Sequence, residues 1–315
     1  MKILVTVGAG FIASHVVDRF IADGHQVVVV DNLATGFREN VNPKAKFFEL
    51  DIRDPKIAEV FETERPDAVD HHAAQMDVRR SVREPIYDAE VNVLGTLRLL
   101  ELSRQVGVKR WIYISTGGAV YGEPQSLPVR EDHPINPLSP YGATKHTPEH
   151  YLFIYRALHQ LQYVVLRYAN IYGPRQSPHG EAGVTAIFSE AMLLGKTCTL
   201  FGDGSKTRDY VFIEDVVRAN VAALTQGDGG VFNIGTGRAT TDFEIFDLVR
   251  KALGMPDLAP VYGEKRPGEI DHIALANERA RDGLGWSPQV SLEEGVRRAT
   301  AFYREKLVKQ GKIAG

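Results

Sequence analysis

The chain has 315 residues, a net charge of −3, 43% apolar and 24% charged residues, and one cysteine, Cys198. This length suffices for one large α/β unit or two joined domains, and the charge gives no indication of a nucleic-acid or anionic-membrane partner. A single cysteine excludes an internal disulfide, which predicts a reducing, cytoplasmic location. No apolar run approaches the roughly 20 residues of a membrane-spanning helix, so no membrane association is predicted.

The N-terminal residues have the pattern of a dinucleotide-binding unit. Residues 2–7 form a short apolar run, typical of a buried parallel strand. The turn Gly8-Ala9-Gly10 follows, and a helix that begins with Phe11 and Ile12 is predicted to reach Ala22. A second apolar strand then ends at Asp31. Glycines let the backbone approach a pyrophosphate at a helix N-terminus, and the acid holds ribose hydroxyls, so a nucleotide site is predicted here.

Strands and helices continue to alternate after Asp31. Apolar strands are predicted at 45–50, 68–71 and 109–115, with a helix at 87–105. Such alternation predicts the α/β class, with a doubly wound, Rossmann-type parallel sheet that binds its ligands at the carboxyl ends of the strands.

The pattern loosens into shorter elements in the second half of the chain. We therefore predict a cofactor-binding domain at 1–168 and a smaller, interleaved α/β substrate domain at 169–315. Segments near 215–235 are expected to return to the first domain.

Tyr141 and Lys145 are four residues apart in the sequence Tyr-Gly-Ala-Thr-Lys. Ser139-Pro140 precedes them as a good N-cap and first residue of a helix, so the phenol and the ammonium share one helix face. A cation beside a phenol favours the phenolate, so Lys145 is predicted to lower the pKa of Tyr141 from about 10 towards neutral pH. The pair is a candidate general acid/base, although the same spacing is common on solvated helix faces.

Motifs in matching order along nearly the whole chain resemble those of the extended short-chain dehydrogenase/reductase family, and most closely its nucleotide-sugar epimerases. The matching motifs are Gly8–His15, Asp31-Asn32-Leu33, Asp51-Ile52, His71-x-Ala73-Ala74, Asn92-x-x-Gly95-Thr96, Ser115–Gly122, Ser139–Lys145, Arg167–Pro174, Gly202–Tyr210 and Arg266-Pro267-Gly268-Glu269. The resemblance implies epimerisation at C4 of a UDP-hexose through a transient 4-keto sugar, with reversible hydride transfer to bound NAD. It also implies a homodimer.

The resemblance assigns roles residue by residue. Tyr141 would exchange the O4 proton of the sugar, Lys145 would assist it and hold the nicotinamide ribose, and Thr116 would bond the sugar O4. The cofactor-binding residues implied are Gly8, Gly10, Phe11, Ile12, Asp31, Asn32, Asp51, Ile52, Ala73, Ala74, Asn92, Ser115, Tyr141 and Lys145. The substrate-binding residues implied are Thr116, Gly117, Tyr141, Tyr168, Asn170, Arg208, Arg266, Glu269 and Ile273. Asp31 favours NAD over NADP because its carboxylate repels a 2′-phosphate, and no metal site is implied.

Val7 and Gly117 depart from the family pattern. Val7 occupies the first glycine position of the phosphate turn, where a β-branched residue is expected either to be strained or to displace the turn, and to weaken NAD binding. Gly117 occupies the position at which the family has the Ser or Thr that bonds O4. Thr116, Ser115 or a water is expected to replace that hydroxyl, and Thr116 is preferred.

Ile273 lies seven residues after Arg266, where family members place a residue that lines the sugar pocket. A tyrosine there restricts the pocket to plain hexoses, so Ile273 predicts at least partial tolerance of 2-acetamido sugars. A slip of one residue would place His272 or Ala274 there instead.

Other functions share the same scaffold. Nucleotide-sugar 4,6-dehydratases and UDP-glucuronate decarboxylases need acids where Gly118 and Ala119 stand, and neither residue transfers protons. An NAD-dependent dehydrogenase, a uronate epimerase and a nucleotide-binding protein with little catalysis stay open as alternatives. The intact Tyr141/Lys145 pair favours the epimerase.

Overall fold

The structure, a computed structural model, describes residues 1–179, 183–265 and 270–314. Its strands are β1 (Lys2–Thr6), β2 (Gln26–Asp31), β3 (Lys46–Glu49), β4 (Ala68–His71), β5 (Arg110–Thr116), β6 (Gln162–Tyr168), β7 (Asn170–Tyr172), β8 (Thr199–Phe201), β9 (Thr207–Arg208), β10 (Tyr210–Phe212), β11 (Gly230–Ile234), β12 (Thr240–Thr241) and β13 (Val261–Gly263). Its α-helices are α1 (Phe11–Ala22), α2 (Ile57–Glu64), α3 (Val78–Arg83), α4 (Pro85–Ala89), α5 (Thr96–Val106), α6 (Gly117–Val120), α7 (Pro140–His159), α8 (Val184–Leu193), α9 (Ile213–Ala223), α10 (Asp242–Ala252), α11 (Glu278–Leu284) and α12 (Leu292–Lys309). A 3-10 turn spans Arg38–Asn40, and a π-helical stretch spans Glu90–Gly95.

Seven parallel strands form the central sheet in the order β11-β6-β5-β4-β1-β2-β3. β1 pairs with β2 on one side and with β4 on the other, so the chain reverses its direction of travel across the sheet at β1. Open α/β sheets bind their ligands outside the carboxyl ends of the strands at such a switch point. The predicted doubly wound parallel sheet is confirmed.

Alternate residues of the central strands pack into separate cores on the two faces of the sheet. Ile3 and Val5 belong to one cluster, together with residues of α1 and α9. Leu4 and Val69 belong to the other, together with residues of α2, α5 and α7. Burial on both faces explains why these strands are apolar runs rather than alternating patterns. Within the described ranges, no helix is long and apolar enough to cross a membrane.

The last strand of the sheet comes from the second half of the chain. After β6 the chain leaves the sheet for a smaller lobe, and it then returns through α9, which packs against α1. β11 follows and pairs with β6 in parallel, from Gly230 opposite Val164 to Ile234 opposite Tyr168. Three two-stranded ribbons, β7 with β10, β9 with β12 and β8 with β13, lie outside the main sheet.

The helix predicted at 87–105 is divided into α4, the π-helical stretch and α5. Gly95 ends the π-helical stretch, and a Cβ atom there would lie 2.7 Å from the Ile52 side chain. This close approach therefore requires glycine. The wider turn also places Asn92 inside the protein, where π-helical turns often serve functional sites.

Candidate active site

The glycine turn joins β1 to α1 at the switch point of the sheet. Gly10 is the N-cap of α1, with no side-chain cap and no acidic residue in the first helical turn, which begins with Phe11 and Ile12. The N–H groups and the positive end of the helix dipole can therefore serve an anion. A Cβ on Gly8 would lie 2.6 Å from a Val29 methyl carbon, so the turn packs this closely only with glycine. These features fit the pyrophosphate of NAD.

Asp31 ends β2 next to this turn and is buried. One carboxylate oxygen accepts the Ala9 N–H at 2.9 Å and the other accepts the Leu33 N–H at 2.8 Å. Burial raises the pKa of Asp31, and the two backbone hydrogen bonds offset part of that rise. Each carboxylate oxygen keeps a further acceptor position, which fits the ribose hydroxyls of NAD.

The loop after β3 closes the same edge of the sheet. Asn32 donates its amide to Asp51 at 2.9 Å, and Arg53 donates two hydrogen bonds to the same carboxylate. The Arg53 hydrogen bonds are the main reason that the pKa of Asp51 falls to about 2. Ile52 is buried beside the π-helical stretch. Asn32, Asp51 and Ile52 thus lie next to Asp31, at the end of the site where an adenosine would be held.

Val7 has a left-handed backbone conformation, with φ of 60°. For a β-branched residue this conformation is a genuine outlier that costs about 1–3 kcal/mol. The turn itself stays in place, because the Val7 N–H donates to the Val30 carbonyl at 2.7 Å and its carbonyl accepts the Gly10 N–H at 2.8 Å. Of the two expected outcomes, strain rather than a displaced turn is the one observed.

Val7→Gly is expected to stabilise the protein and to tighten NAD binding. Relief of about 1–3 kcal/mol of strain exceeds the roughly 0.5–1 kcal/mol entropic cost of glycine, and the side chain no longer crowds the phosphate turn. Urea unfolding and NAD titration measure the two effects. Gln160→Gly is the matched control, because Gln160 also has a positive φ of 59° but caps the far end of α7. Unchanged NAD affinity in Val7→Gly would show that the valine does not hinder the cofactor.

The loop after β4 carries Ala73 and Ala74 and is held in place by buried side chains. The Thr6 hydroxyl oxygen accepts the Ala73 N–H at 2.9 Å. Asn92 accepts the Gln75 N–H at 2.8 Å and donates to the Thr144 hydroxyl oxygen at 3.1 Å. Asn92 is only 1% exposed, so its amide ties this loop to α7. The cofactor-binding role expected of Asn92 stays a prediction.

Thr116, Tyr141 and Asn170 meet at the carboxyl end of the sheet. Thr116 is the last residue of β5, and its side chain hydrogen-bonds the Tyr141 hydroxyl. A Cβ on Gly118 would lie 3.8 Å from Thr116 Oγ1 and 3.9 Å from Asn170 Oδ1, so these two polar groups face the same small space. Tyr141 and Lys145 lie in the first turns of α7, whose N-cap Ser139 accepts the Gly142 N–H at 3.2 Å. Residues from three separate elements thus form one polar centre.

The pKa values of the pair differ from the expectation. Burial, followed by the charge of Asp88, raises the pKa of Tyr141 to about 12, and only the Thr116 hydrogen bond opposes this. Burial lowers the pKa of Lys145 to about 7, against the opposing charges of Glu149 and Asp88. The pKa of Tyr141 in the chain by itself is therefore raised rather than lowered as predicted, because burial is the largest effect on it.

Leu275 explains why residue 117 is glycine. A Cβ on Gly117 would lie 2.2 Å from a Leu275 methyl carbon, so a serine or threonine does not fit there. Of the neighbouring hydroxyls, Ser115 donates to the Glu149 carboxylate at 2.6 Å and is buried. Its hydroxyl is therefore engaged by Glu149, and the cofactor-binding role expected of Ser115 stays a prediction. Thr116 is the hydroxyl that reaches Tyr141.

Gly117→Ser is expected to destabilise the protein by about 1–3 kcal/mol without improving catalysis, because the added atoms overpack against the buried Leu275. The free energy of unfolding in urea measures the effect. Gly118→Ser is the matched control for stability, since the nearest atoms to its Cβ lie at ordinary contact distance. A Gly117→Ser protein as stable as the wild type would show that Leu275 yields easily.

Two predicted substrate residues are buried in apolar cores. Tyr168 is 5% exposed and accepts a hydrogen bond from the Asn220 amide at 2.6 Å, so its hydroxyl has no access to a ligand. The substrate contact expected of Tyr168 stays a prediction. Ile273 is 2% exposed and packs in a cluster with Val120 and Leu275, the residue that contacts Gly117. Its side chain thus supports the wall of the site from within.

Of the two predicted phosphate-binding arginines, the structure describes Arg208. Arg208, at the end of β9, is partly exposed and donates to the Thr207 carbonyl at 2.8 Å. Arg266 and Glu269 lie outside the described residues. A cavity of about 180 Å³ opens between the two segments that carry these motifs. It is lined by Phe201, Gly202, Asp203, Ser205, Lys206, Lys265, Asp271 and His272.

Several buried carboxylates among the described residues were not identified by the sequence analysis, and Asp209 and Glu149 are two of them. Asp209 is 1% exposed and accepts the N–H groups of Thr236, Gly237 and Leu275 at 2.9–3.0 Å, so it joins the segments behind the polar centre. Its position between Arg208 and Tyr210, in an otherwise strand-like run, is the one sequence signal for it. Glu149, the second carboxylate, is four residues beyond Lys145 on α7.

Known proteins match this chain along almost its whole length. It is 48% identical over 312 residues to UDP-glucose 4-epimerase of Mycolicibacterium smegmatis, covering 97% of this chain and 99% of the relative. The structure of UDP-glucose 4-epimerase from Thermotoga maritima with UDP-glucose superposes with a TM-score of 0.95 at 50% identity, covering 98% of this chain and all of the other. The structure of the Thermus thermophilus UDP-glucose 4-epimerase complex with NAD superposes with a TM-score of 0.91 at 45% identity. The match covers 96% of this chain and 99% of the other.

A sequence model described as the NAD dependent epimerase/dehydratase family matches residues 3–235, which include the glycine turn, Asp31 and the Tyr141/Lys145 pair. The resemblance seen in the sequence motifs is thereby confirmed. The chain belongs to the NAD-dependent epimerase/dehydratase family.

Proposed function

We propose that the chain is a UDP-glucose 4-epimerase that interconverts UDP-galactose and UDP-glucose. The observation that carries the proposal is the meeting of Thr116, Tyr141 and Asn170 at the carboxyl end of the sheet, beside a glycine turn that fits NAD. Relatives with 45–50% identity carry that activity in their names. Bound NAD supplies the hydride acceptor and donor for C4 of the sugar.

In this proposal the chain's own residues move one proton. Tyr141 accepts the O4 proton and later returns it, while the Thr116 hydroxyl orients the phenol through their hydrogen bond. A phenol with a pKa of about 12 needs a nearby positive charge to act as a base at neutral pH, and protonated Lys145 provides that charge. The backbone around Gly8 and Gly10 holds the pyrophosphate of the cofactor, Asp31 its adenosine ribose, and Lys145 its nicotinamide ribose.

The nucleotide of the substrate is assigned to the smaller lobe. Arg208 and Arg266 are proposed to bind the UDP diphosphate, because a guanidinium forms bidentate, charge-assisted bonds with phosphate oxygens. Asn170 is proposed to bond the phosphate nearest the sugar, and Glu269 the uridine ribose. The cavity of about 180 Å³ beside these segments is the proposed place of the uridine.

Three other reactions of this scaffold need catalytic side chains that this chain does not place in the corresponding positions. Gly118 and Ala119 carry no proton-transferring side chain where the dehydratases and decarboxylases need acids. A dehydrogenase that oxidises its substrate twice needs a nucleophile, and Cys198 is buried, with burial raising its pKa to about 11. The thiol is therefore protonated at neutral pH and is a poor nucleophile.

The proposed activity is tested with purified protein, NAD and UDP-galactose. Formation of UDP-glucose, measured with a coupled UDP-glucose dehydrogenase, is the expected result. Net accumulation of NADH before the coupling enzyme is added would indicate a dehydrogenase instead, and NAD binding without turnover would indicate a nucleotide-binding protein.

We predict that 2-acetamido sugars are also accepted, at least in part. Ile273 packs in the apolar cluster behind the wall of the site rather than facing the sugar. It is shorter than the tyrosine that restricts the pocket in the family, so the wall that it supports leaves more room for a bulkier sugar. Parallel assays with UDP-galactose and UDP-N-acetylgalactosamine measure the preference. Good turnover of the first sugar with no detectable turnover of the second would refute the argument from Ile273.

We also infer a cytoplasmic homodimer. α7 and the adjacent π-helical stretch expose Leu94, Phe153, Ile154 and Leu158, which are 43–70% exposed. An apolar patch of this kind on a helical face is typical of a protein interface. Light scattering at micromolar concentration should give twice the chain mass, and Phe153→Glu with Leu158→Glu should give monomers. A monomeric wild-type protein would contradict the inference.

A further inference from the structure

Glu149 is a buried carboxylate on the helix of Tyr141 and Lys145. The three residues follow one another at intervals of four on α7, so they share one face of the helix. Glu149 is 7% exposed, and its carboxylate accepts a hydrogen bond from the Ser115 hydroxyl at 2.6 Å and from Arg167 Nε at 3.1 Å. A second hydrogen bond from Arg167 Nη2, at 2.5 Å, completes a bidentate ion pair.

Arg167, the ion-pair partner of Glu149, makes a further hydrogen bond to a buried tyrosine. Arg167 lies on β6, is 4% exposed, and donates from Nη1 to the Tyr121 hydroxyl at 2.9 Å. Tyr121 donates in turn to the side-chain oxygen Oδ1 of Asn233 at 2.6 Å. A buried ion pair of this kind often contributes little net stability, because both charges lose their hydration. Its presence next to the reacting groups therefore favours a role for the charge itself.

The charge of Glu149 acts on Lys145. Burial alone would lower the pKa of Lys145 further than to about 7, and Glu149 is the first of the two charges that oppose this. Burial raises the pKa of Glu149 too, but hydrogen bonds from His146 and Arg167 bring it down to about 2, so Glu149 stays ionised at neutral pH. The titratable and charged side chains that face these two residues are His71, Asp88, Tyr113, Tyr141, His146 and Arg167.

We propose that Glu149 is a positioning residue for the reaction: it places a buried carboxylate one helical turn from Lys145 and, through Ser115, fixes the strand end that carries Thr116. The proposal rests on the catalytic role given to Lys145 above. Asp88 acts on Lys145 in the same sense from α4, and the hydrogen bonds of its carboxylate go to Gln75, Asn92 and Thr144. Glu149 is therefore the group that links the charge of the lysine to the position of the threonine.

The direct test is the titration of Lys145 in the intact protein. Lysine labelled with ¹³C at Cε gives one signal per residue, and the Lys145 signal is the one missing from Lys145→Met. In Glu149→Gln the pKa of Lys145 should fall by about one unit or more, since an opposite charge at this range shifts a pKa by 1–3 units. Glu101→Gln is the matched control, because Glu101 also contacts α7, through the Tyr155 hydroxyl, near its other end.

Glu149→Gln leaves the buried Arg167 cation without its counter-charge, which is strongly destabilising. The double variant E149Q/R167Q removes both charges together and keeps amides that can hydrogen-bond. Glu149 rather than Arg167 is the charge that acts on Lys145. In the double variant the pKa of Lys145 should therefore be as far below the wild-type value as in Glu149→Gln, whereas the protein should be more stable than Glu149→Gln. A wild-type pKa of Lys145 in either folded variant would overturn the proposal.

The pH dependence of kcat separates this proposal from the proposed function. A fall in the pKa of Lys145 that is accompanied by a parallel shift of the alkaline limb of kcat to lower pH supports both. The same fall in pKa with an unchanged kcat profile supports the action of Glu149 on Lys145, and it contradicts the catalytic role of Lys145 instead.

Discussion

Tyr141→Phe is expected to abolish epimerisation while leaving the fold and NAD binding intact. The substitution removes only the hydroxyl that exchanges a proton with the sugar, and general acid/base groups contribute about 10²–10⁴-fold to a rate. We expect a loss near the upper end of that range, because the Thr116 hydroxyl, its neighbour in the centre, is too weak an acid to replace it. The phenyl ring keeps the packing of the first turn of α7.

The measurement is kcat for UDP-galactose, together with NAD affinity and the urea unfolding midpoint. Tyr113→Phe is the matched control: its hydroxyl donates to the Lys145 carbonyl at 3.0 Å within the same region, but it is buried and does not face the sugar site. Residual turnover in Tyr141→Phe within tenfold of the wild type would remove Tyr141 from the role of acid/base.

Lys145→Met should lower kcat by about 10²-fold and move the remaining activity to higher pH. In the proposed mechanism protonated Lys145 stabilises the Tyr141 phenolate, so without it the pKa of Tyr141 should rise and the acid limb of the profile should move upward. The ammonium loses its proton as pH rises through about 7, so the wild type should lose this assistance above neutral pH. The variant has no such group, and this loss should be missing from its profile.

The full pH profile of kcat is the measurement, with Lys44→Met, a substitution of an exposed lysine, as the control. A slower enzyme with the wild-type profile would mean that Lys145 only positions the cofactor. An increase of KM for NAD without any effect on kcat would lead to the same conclusion.

Features that depend on neighbouring residues could be predicted from the sequence. The turn at Gly8, the acid at Asp31 and the capped start of α7 are determined by a few adjacent residues, and each occurs where it was expected. The parallel sheet follows from the alternation of apolar runs with helices. Val7 was also recognisable as a strained residue, because a β-branched side chain in a glycine position has few alternatives.

Features that depend on distant segments could not be predicted. The chain alone gives no indication that Leu275 fills the space next to Gly117, or that Arg167 meets Glu149. The pKa of Tyr141 was misjudged for the same reason, since its burial arises from elements far apart in sequence. Asn92 was placed at the cofactor because its motif is local, whereas its hydrogen bonds depend on the π-helical turn.

The pairing of β11 with β6 has a consequence for synthesis on the ribosome. The first six strands of the sheet are available once Tyr168 has emerged, but the seventh ends at Ile234. At roughly 5–20 residues per second, several seconds pass between the two. During that interval the backbone of β6 is an unpaired edge beside an apolar core, the kind of surface that captures strands of other chains. A fragment that ends at residue 168 is therefore expected to aggregate.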